Sequence, residues 1–340
     1  MKTTDLVKYA GALAALALGS ACSSGSAIAP SKAVLDGEYL NRTTSVNGRL
    51  VTLARPNLSG LPRYPATVPD RTARSKAKFF EYIINVYGSY ASIFDYPKST
   101  KQIGTIDDVG GQGCTNVLHG YGKSTFWIVA GSDQITEYRV PQTPIKTLSI
   151  PGGSMPSSCA MNKDGDLAVG ILFGSAGGNV VIYKNAGGRG TFIKTPLARE
   201  FFDGYDNKGN LFLDGFTNAS AFELVEIPKG SNRARAIATS NTVQFPGSVQ
   251  WDGTHLTIFD QFPNKLYRYD IEGTKAVLKG TVSFFGSTDC AQTWIANDVV
   301  YCADAGNDNG EVFNYPAGGA PIAVFTGKFD EPLGTVAVKR

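Results

Sequence analysis

The sequence predicts an all-β protein, a ring of six four-stranded sheets, or six-bladed β-propeller, and three observations lead there. Glycine is abundant at 39 residues and charge is sparse at 18%, a composition suited to many short strands and turns. A short motif recurs as "SIFDYP" (92–97), "QITEYRVP" (134–141), "NVVIYKN" (179–185), "AFELVEIP" (221–228), "KLYRYDI" (265–271) and "EVFNYP" (311–316). Successive copies lie about 43 residues apart, a propeller-blade period rather than that of a helical solenoid. Finally, no segment beyond residue 78 sustains a 3.6-residue apolar period.

The chain opens with "MKTTDLVKYAGALAALALGSA", a Lys-bearing start, a short apolar stretch and small residues before Cys22. This is export-signal anatomy, too short in its apolar part for a membrane span. "LALGSAC" resembles a bacterial lipobox, with Gly19 where Leu is commoner, so residues 1–21 are assigned as a lipoprotein signal and Cys22 as the lipidated residue. The alternative is an ordinary signal, cleaved or retained, with a spare thiol. Residues 22–78, Ser-rich and then Pro-rich, are expected to form a lipid-anchored flexible stalk with a mean reach of about 40 Å.

From residue 79 the strands follow in order. The recurring motif alternates apolar and polar residues and stops at Pro, Asn or Gly, as a half-buried strand does. After each copy comes an outer strand, then a strand of small residues ("GCTNVLH", "SCAMN", "FDGYD", "PGSVQW", "DCAQTW", "PLGTVAV"). A tight polar turn leads on to an apolar strand, a hairpin signal. The small-residue strand must be innermost, where blades crowd together. The first unit lacks this strand and the last has only this strand. Strand 332–338 is therefore expected to pair with strand 79–87 and close the ring of the 79–340 domain, abolishing open edges.

The pattern resembles six-bladed propellers of the NHL and SMP-30-like type, and more closely uncharacterised bacterial propeller lipoproteins with Tyr-Pro-x-Gly repeats. "NYPAGG" (314–319) and "YDNKGNLFLDG" (205–215) carry the likeness. It implies fold and export over 79–340 and brings no reaction with it. SMP-30-type enzymes hold a divalent metal at the axis through Glu, Asn and Asp. The resemblance makes Asp203, Asp289, Asn116 and Asp330 the candidates here, with no family motif around them and no early Glu.

Charge sorts by rim. The loops leading into innermost strands, and those on the same rim, carry Asp107, Asp108, Asp133, Glu200, Asp203, Asp214, Asp260, Asp289, Asp304, Asp308, Asp330 and Glu331, against Arg199, Lys265 and Lys328. The opposite turns carry Lys163, Lys184, Lys208, Lys229, Arg235 and other cations. The chain reads as a dipole despite a net charge of +3, unless these are only solvating loop charges. Nothing suggests a nucleic-acid partner.

Of the five cysteines, Cys114, Cys159, Cys290 and Cys302 remain after the signal. An even number in an exported chain reads as two disulfides, expected as Cys290–Cys302 within a blade and Cys114–Cys159 between blades, with buried free thiols the alternative. Two histidines, His119 and His255, fall at turns on the basic rim, which argues against a histidine-based catalytic site. "DAGNDNGE" (304–311) has the oxygen-rich look of a calcium loop but reads better as a plain turn. Trp127, Trp251 and Trp294 lie on strands, for packing or for ligand stacking.

The expectation is a monomeric, non-catalytic binding platform, membrane-attached through its lipid. Its acidic rim, including Asp107, Asp108, Asn116, Asp203, Asp289, Asp304 and Asp330, would face a cell-envelope glycan or protein. A divalent cation such as calcium is the one cofactor left open. The alternatives are an SMP-30-like lactonase or lyase and a structural part of an envelope assembly.

Overall fold

The computed structural model describes residues 43–46, 49–52, 79–115, 122–130, 133–150, 154–173, 179–261, 263–296 and 298–339. The chain divides after residue 63. Of the first part only a hairpin is described, β1 (Thr43–Val46) antiparallel to β2 (Arg49–Thr52). The signal segment, Cys22 and the rest of the expected stalk lie outside the described residues.

Residues 79–339 form antiparallel sheets in a propeller-like arrangement, with no α-helix among the described residues. The first three strands are β3 (Phe79–Asn85), β4 (Tyr90–Phe94) and β5 (Gln102–Asp107). Next come β6 (Gly113–Cys114), β7 (Gly122–Lys123), β8 (Thr125–Val129), β9 (Gln134–Arg139) and β10 (Thr143–Ser149). The third group is β11 (Met155–Met161), β12 (Leu167–Phe173), β13 (Asn179–Tyr183) and β14 (Thr191–Lys194). The fourth is β15 (Arg199–Tyr205), β16 (Leu211–Phe216), β17 (Phe222–Ile227) and β18 (Arg235–Thr239). The fifth is β19 (Pro246–Trp251), β20 (Leu256–Asp260), β21 (Lys265–Glu272) and β22 (Lys275–Ser283). Last are β23 (Cys290–Ala296), β24 (Val299–Asp304), β25 (Asn309–Asn314), β26 (Gly318–Phe325) and β27 (Pro332–Lys339).

The C-terminal strand β27 pairs antiparallel with β3, from Pro332–Asn85 to Lys339–Phe79. It packs on β23 on one side and on β6 on the other. Innermost strands touch in succession: β6 with β11, β11 with β15, β15 with β19, β19 with β23. Two sheets expected to be separate are joined, because β18 and β22 run parallel at Ala238–Lys275 and Thr239–Ala276. The Ser240 amide extends that ladder to Ala276 O. A Cβ on Gly113 of β6 would stand 2.5 Å from Val336 Cγ1.

Burial falls from inside outward. β23 is buried along its whole length, whereas β9 is exposed at both ends and β10 at most of its positions. The inner strands crowd at glycine: a Cβ on Gly204 would lie 2.3 Å from Val249 O, so only hydrogen fits there.

The repeated tyrosine of the motif reaches into the preceding sheet. Tyr96 packs edge-on against Tyr301 at 5.9 Å between centroids, and Phe79 meets Tyr301 at 6.2 Å. The Tyr183 hydroxyl donates to Ser149 O at 2.9 Å, and that of Tyr269 to Asn241 Oδ1 at 2.8 Å. Tyr315 donates to Asp252 and lies under the Arg268 guanidinium. Four of the six motif copies make this lock on the neighbouring sheet, the first sheet using Tyr96 against the last.

Both disulfides are present as expected. Cys114–Cys159 links β6 to β11 with alpha carbons 5.7 Å apart, and Cys290–Cys302 links β23 to β24 at 5.4 Å, distances normal for a bridge. Cys159 lies mid-strand rather than at the strand start. Two disulfides fit an oxidising compartment, and among the described residues no helix is long and apolar enough to cross a membrane.

Candidate functional site

The inner strands surround a cavity of about 530 Å³. Its walls come from β6, β11, β15, β19 and β23, and its mouth from the turns after β11, β15 and β19. The mouth therefore lies on the rim read as basic, away from the acidic loops.

Three glutamine side chains in the lining bridge the inner strands. Gln292 Oε1 accepts from the Thr335 amide at 2.7 Å and the Gly113 amide at 3.4 Å, while its Nε2 donates to Gly113 O at 3.1 Å. Gln112 Nε2 crosses to Phe201 O at 3.0 Å. Gln250 clasps Ile295 through both backbone groups, accepting at 2.7 Å and donating at 2.9 Å. These amides tie strands whose edges have no partner strand toward the axis, and their polar groups are satisfied within the protein. A long polar side chain in an otherwise small-residue strand ("GQGC", "CAQTW", "VQWD") was the signal available in the sequence.

Tyr205, Trp251 and Trp294 line the walls, with Met161 and Val249. Trp127 lies elsewhere and is fully buried packing. The mouth turns are pinned by their own first residues. Asn162 Oδ1 accepts from the amides of Asp164 and Asp166, both at 2.9 Å, and Asp206 Oδ1 from Lys208 at 2.9 Å and Asn210 at 2.8 Å. Asp252 Oδ1 does the same for Thr254 and His255 at 2.8 and 2.7 Å. Its Oδ2 accepts from Arg268 Nε at 2.8 Å and from the Tyr315 hydroxyl. His255 is the turn residue it was expected to be, beside Asp252, Arg268 and Asp270. His119 lies outside the described residues.

The expected acidic rim dissolves into two populations. Asp107, Asp108, Asp133 and Asp308 are exposed, and Asp330 and Glu331 partly so. Glu200, Asp203, Asp214, Asp260, Asp289 and Asp304 are buried. Several of these hold the loop leading into an inner strand: Asp260 accepts from the amides of Gln244 and Phe245 at 2.9 and 3.0 Å. Asp304 takes those of Thr288, Asp289, Gly306 and Asn307 at 2.9–3.1 Å. Asn85 Oδ1 plays the same part for Asp330. The 304–311 loop is thus built on a carboxylate occupied by amides, as a plain turn is. The basic rim is tempered too, by Lys184–Asp166 at 2.7 Å, Lys229–Asp164 at 2.5 Å and Arg235–Glu226 at 2.7 Å.

Asp203 sits in β15 on the cavity wall, 6% exposed, with both carboxylate oxygens enclosed. Ser158 Oγ, its neighbour across the sheet boundary, lies outside good hydrogen-bond geometry yet still favours the charged form. Burial dominates and pushes Asp203 up to about 8. Burial likewise carries Glu200 to about 8 against the Thr195 hydroxyl, and Asp289 to about 8 with help from Asp304. Taking a carboxylate out of water without a cation favours its neutral form.

The residues proposed for an axial metal are not brought together. Asp203 flanks the cavity, whereas Asp289 and Asp330 belong to loops on the opposite rim, and Asn116 lies outside the described residues. Among the described residues the one three-ligand group is Cys290, Cys302 and Asp304. Its sulfurs form a disulfide and its carboxylate holds amides, so the donor set does not fit a divalent cation.

No protein-family model matches the sequence, and no curated protein does. Solved structures are similar in fold. A protein of unknown function from Bacteroides caccae is 11% identical with a TM-score of 0.57, the match covering 78% of this chain and 100% of that one. A chain of a nidogen–laminin complex is 12% identical with a TM-score of 0.57, over 76% and 98%. A functionally unknown protein from Desulfotomaculum acetoxidans is 9% identical with a TM-score of 0.50, over 76% and 98%. At these identities the likeness concerns the fold alone, which is of the β-propeller type.

Proposed function

We propose that this chain is an exported binding module, a six-bladed propeller whose ligand site is the axial cavity. The count of six reads the joined β15–β22 sheet as two blades, supported by six innermost strands in successive contact. In this reading the blades are of the NHL and SMP-30-like type, and Cys22 tethers the module to a membrane by lipid, outside the cytoplasm. The observation that carries the reading is the cavity itself, within the usual volume of ligand pockets, aromatic-walled and bordered by pinned turns. The binding surface moves from the acidic rim to the opposite face, since half of that rim's carboxylates are buried.

Lactonase or lyase chemistry gains no support, because the candidate ligands stand on opposite rims. Hydrogen exchange in the presence of cell-envelope extract tests the binding reading. Protection is expected at 161–163, 205–207 and 251–253. Protection at 107–112, 286–290 and 304–311 instead would refute the cavity as the site.

A further inference from the structure

Resting on the cavity as the site, we infer that its ligand is an uncharged saccharide, a sugar face against Trp251, Trp294 and Tyr205 and its hydroxyls toward the turns at the mouth. The lining has four charge-bearing side chains, Asp203, Asp206, Asp252 and Lys163. None of the carboxylates is free to meet a cation. Asp206 holds two amides of its own turn on one oxygen and Asn210 Nδ2 at 2.8 Å on the other. Asp252 is occupied by two amides, Arg268 and Tyr315. The Asp203 oxygens are enclosed away from the lumen. An anion would find only Lys163 among three carboxylates. The cavity selects against ions of either sign, because a desolvated ion needs a free counter-charge.

A wholly apolar ligand fits little better, since the mouth ends in polar turns where the exposed side chains of Asn207 and Lys163 make no hydrogen bond among the described residues. A sugar ring joins the two requirements. Its axial C–H bonds suit the electron-rich faces of aromatic rings, while its hydroxyls both donate and accept. The pinned turns mean that little ordering is needed on binding.

The test is a tryptophan-fluorescence and saturation-transfer titration of the purified chain with glucose, galactose, mannose, xylose, N-acetylglucosamine and their β-linked disaccharides. Calcium, inorganic phosphate and tetramethylammonium serve as the ionic probes. At least one saccharide is expected to bind, with affinity reduced tenfold or more by Trp251→Ala and by Asn207→Trp. The second variant changes an exposed turn residue and blocks the mouth without touching the core. Saccharide binding unchanged in a folded Asn207→Trp protein overturns both this inference and the cavity reading. An ionic probe that binds and is blocked by Asn207→Trp, with every saccharide silent, overturns the ligand class and leaves the cavity reading standing. Silence from all saccharides and ions also overturns the ligand class.

Discussion

Replacing Asp203 by Asn should flatten the pH dependence of folding stability by one proton. The native carboxyl is enclosed and pushed up to about 8 by burial, whereas in the unfolded chain it titrates near 4. Between those values the native state keeps a proton that the unfolded state has released. Stability from this group is therefore full below about pH 4 and declines as pH rises toward 8. One proton of difference corresponds to about 1.4 kcal/mol per pH unit, or roughly 2.7 kcal/mol between pH 5 and 7. Asn keeps the shape and has no proton to lose. The variant should match the wild type within about 1 kcal/mol at pH 5 and exceed its relative stability by roughly 2.7 kcal/mol at pH 7. Urea titrations at pH 5, 6, 7 and 8 measure both slopes. Parallel profiles would show that Asp203 is charged in the native state and refute the reasoning.

Three further outcomes are expected. Removing Cys114–Cys159, which spans 45 residues, should cost about 4 kcal/mol, and removing Cys290–Cys302, spanning 12, about 3 kcal/mol, on loop-closure entropy; denaturant midpoints of the paired Cys→Ser variants give the order. Gln292→Ala leaves the Thr335 and Gly113 amides without their acceptor and should cost about 1–3 kcal/mol for each group left unsatisfied, with faster exchange of the Thr335 amide as the specific readout. Phe79→Ala empties the contact between the first and last sheets, where Phe79 is fully buried; a loss of about 3–5 kcal/mol is expected, measurable by thermal and urea unfolding.

The ring was legible because its determinants repeat. Tyr96, Tyr183, Tyr269 and Tyr315 each make the same reach backward, so the period of the motif is the period of the packing. The pairing of the C-terminal strand with the strand from Phe79 followed from counting strands at the two ends of the repeat, and the disulfides from an even cysteine count placed on the blades. The site was not legible in this way. Sorting charges by rim assumes that loop acids face water, yet Asp260 and Asp304 turn inward to hold backbone amides. Sequence position says which rim an Asp occupies, not which way it points. The cavity walls escaped for a related reason: inner strands were expected to be uniformly small, but Gly204 provides the close approach while Tyr205 beside it borders the lumen.

The seam between β27 and β3 bears on how the molecule comes into being. The innermost strand of the first sheet is supplied by residues made some 250 positions later, so that sheet stays incomplete until they arrive, however early its other strands are synthesised.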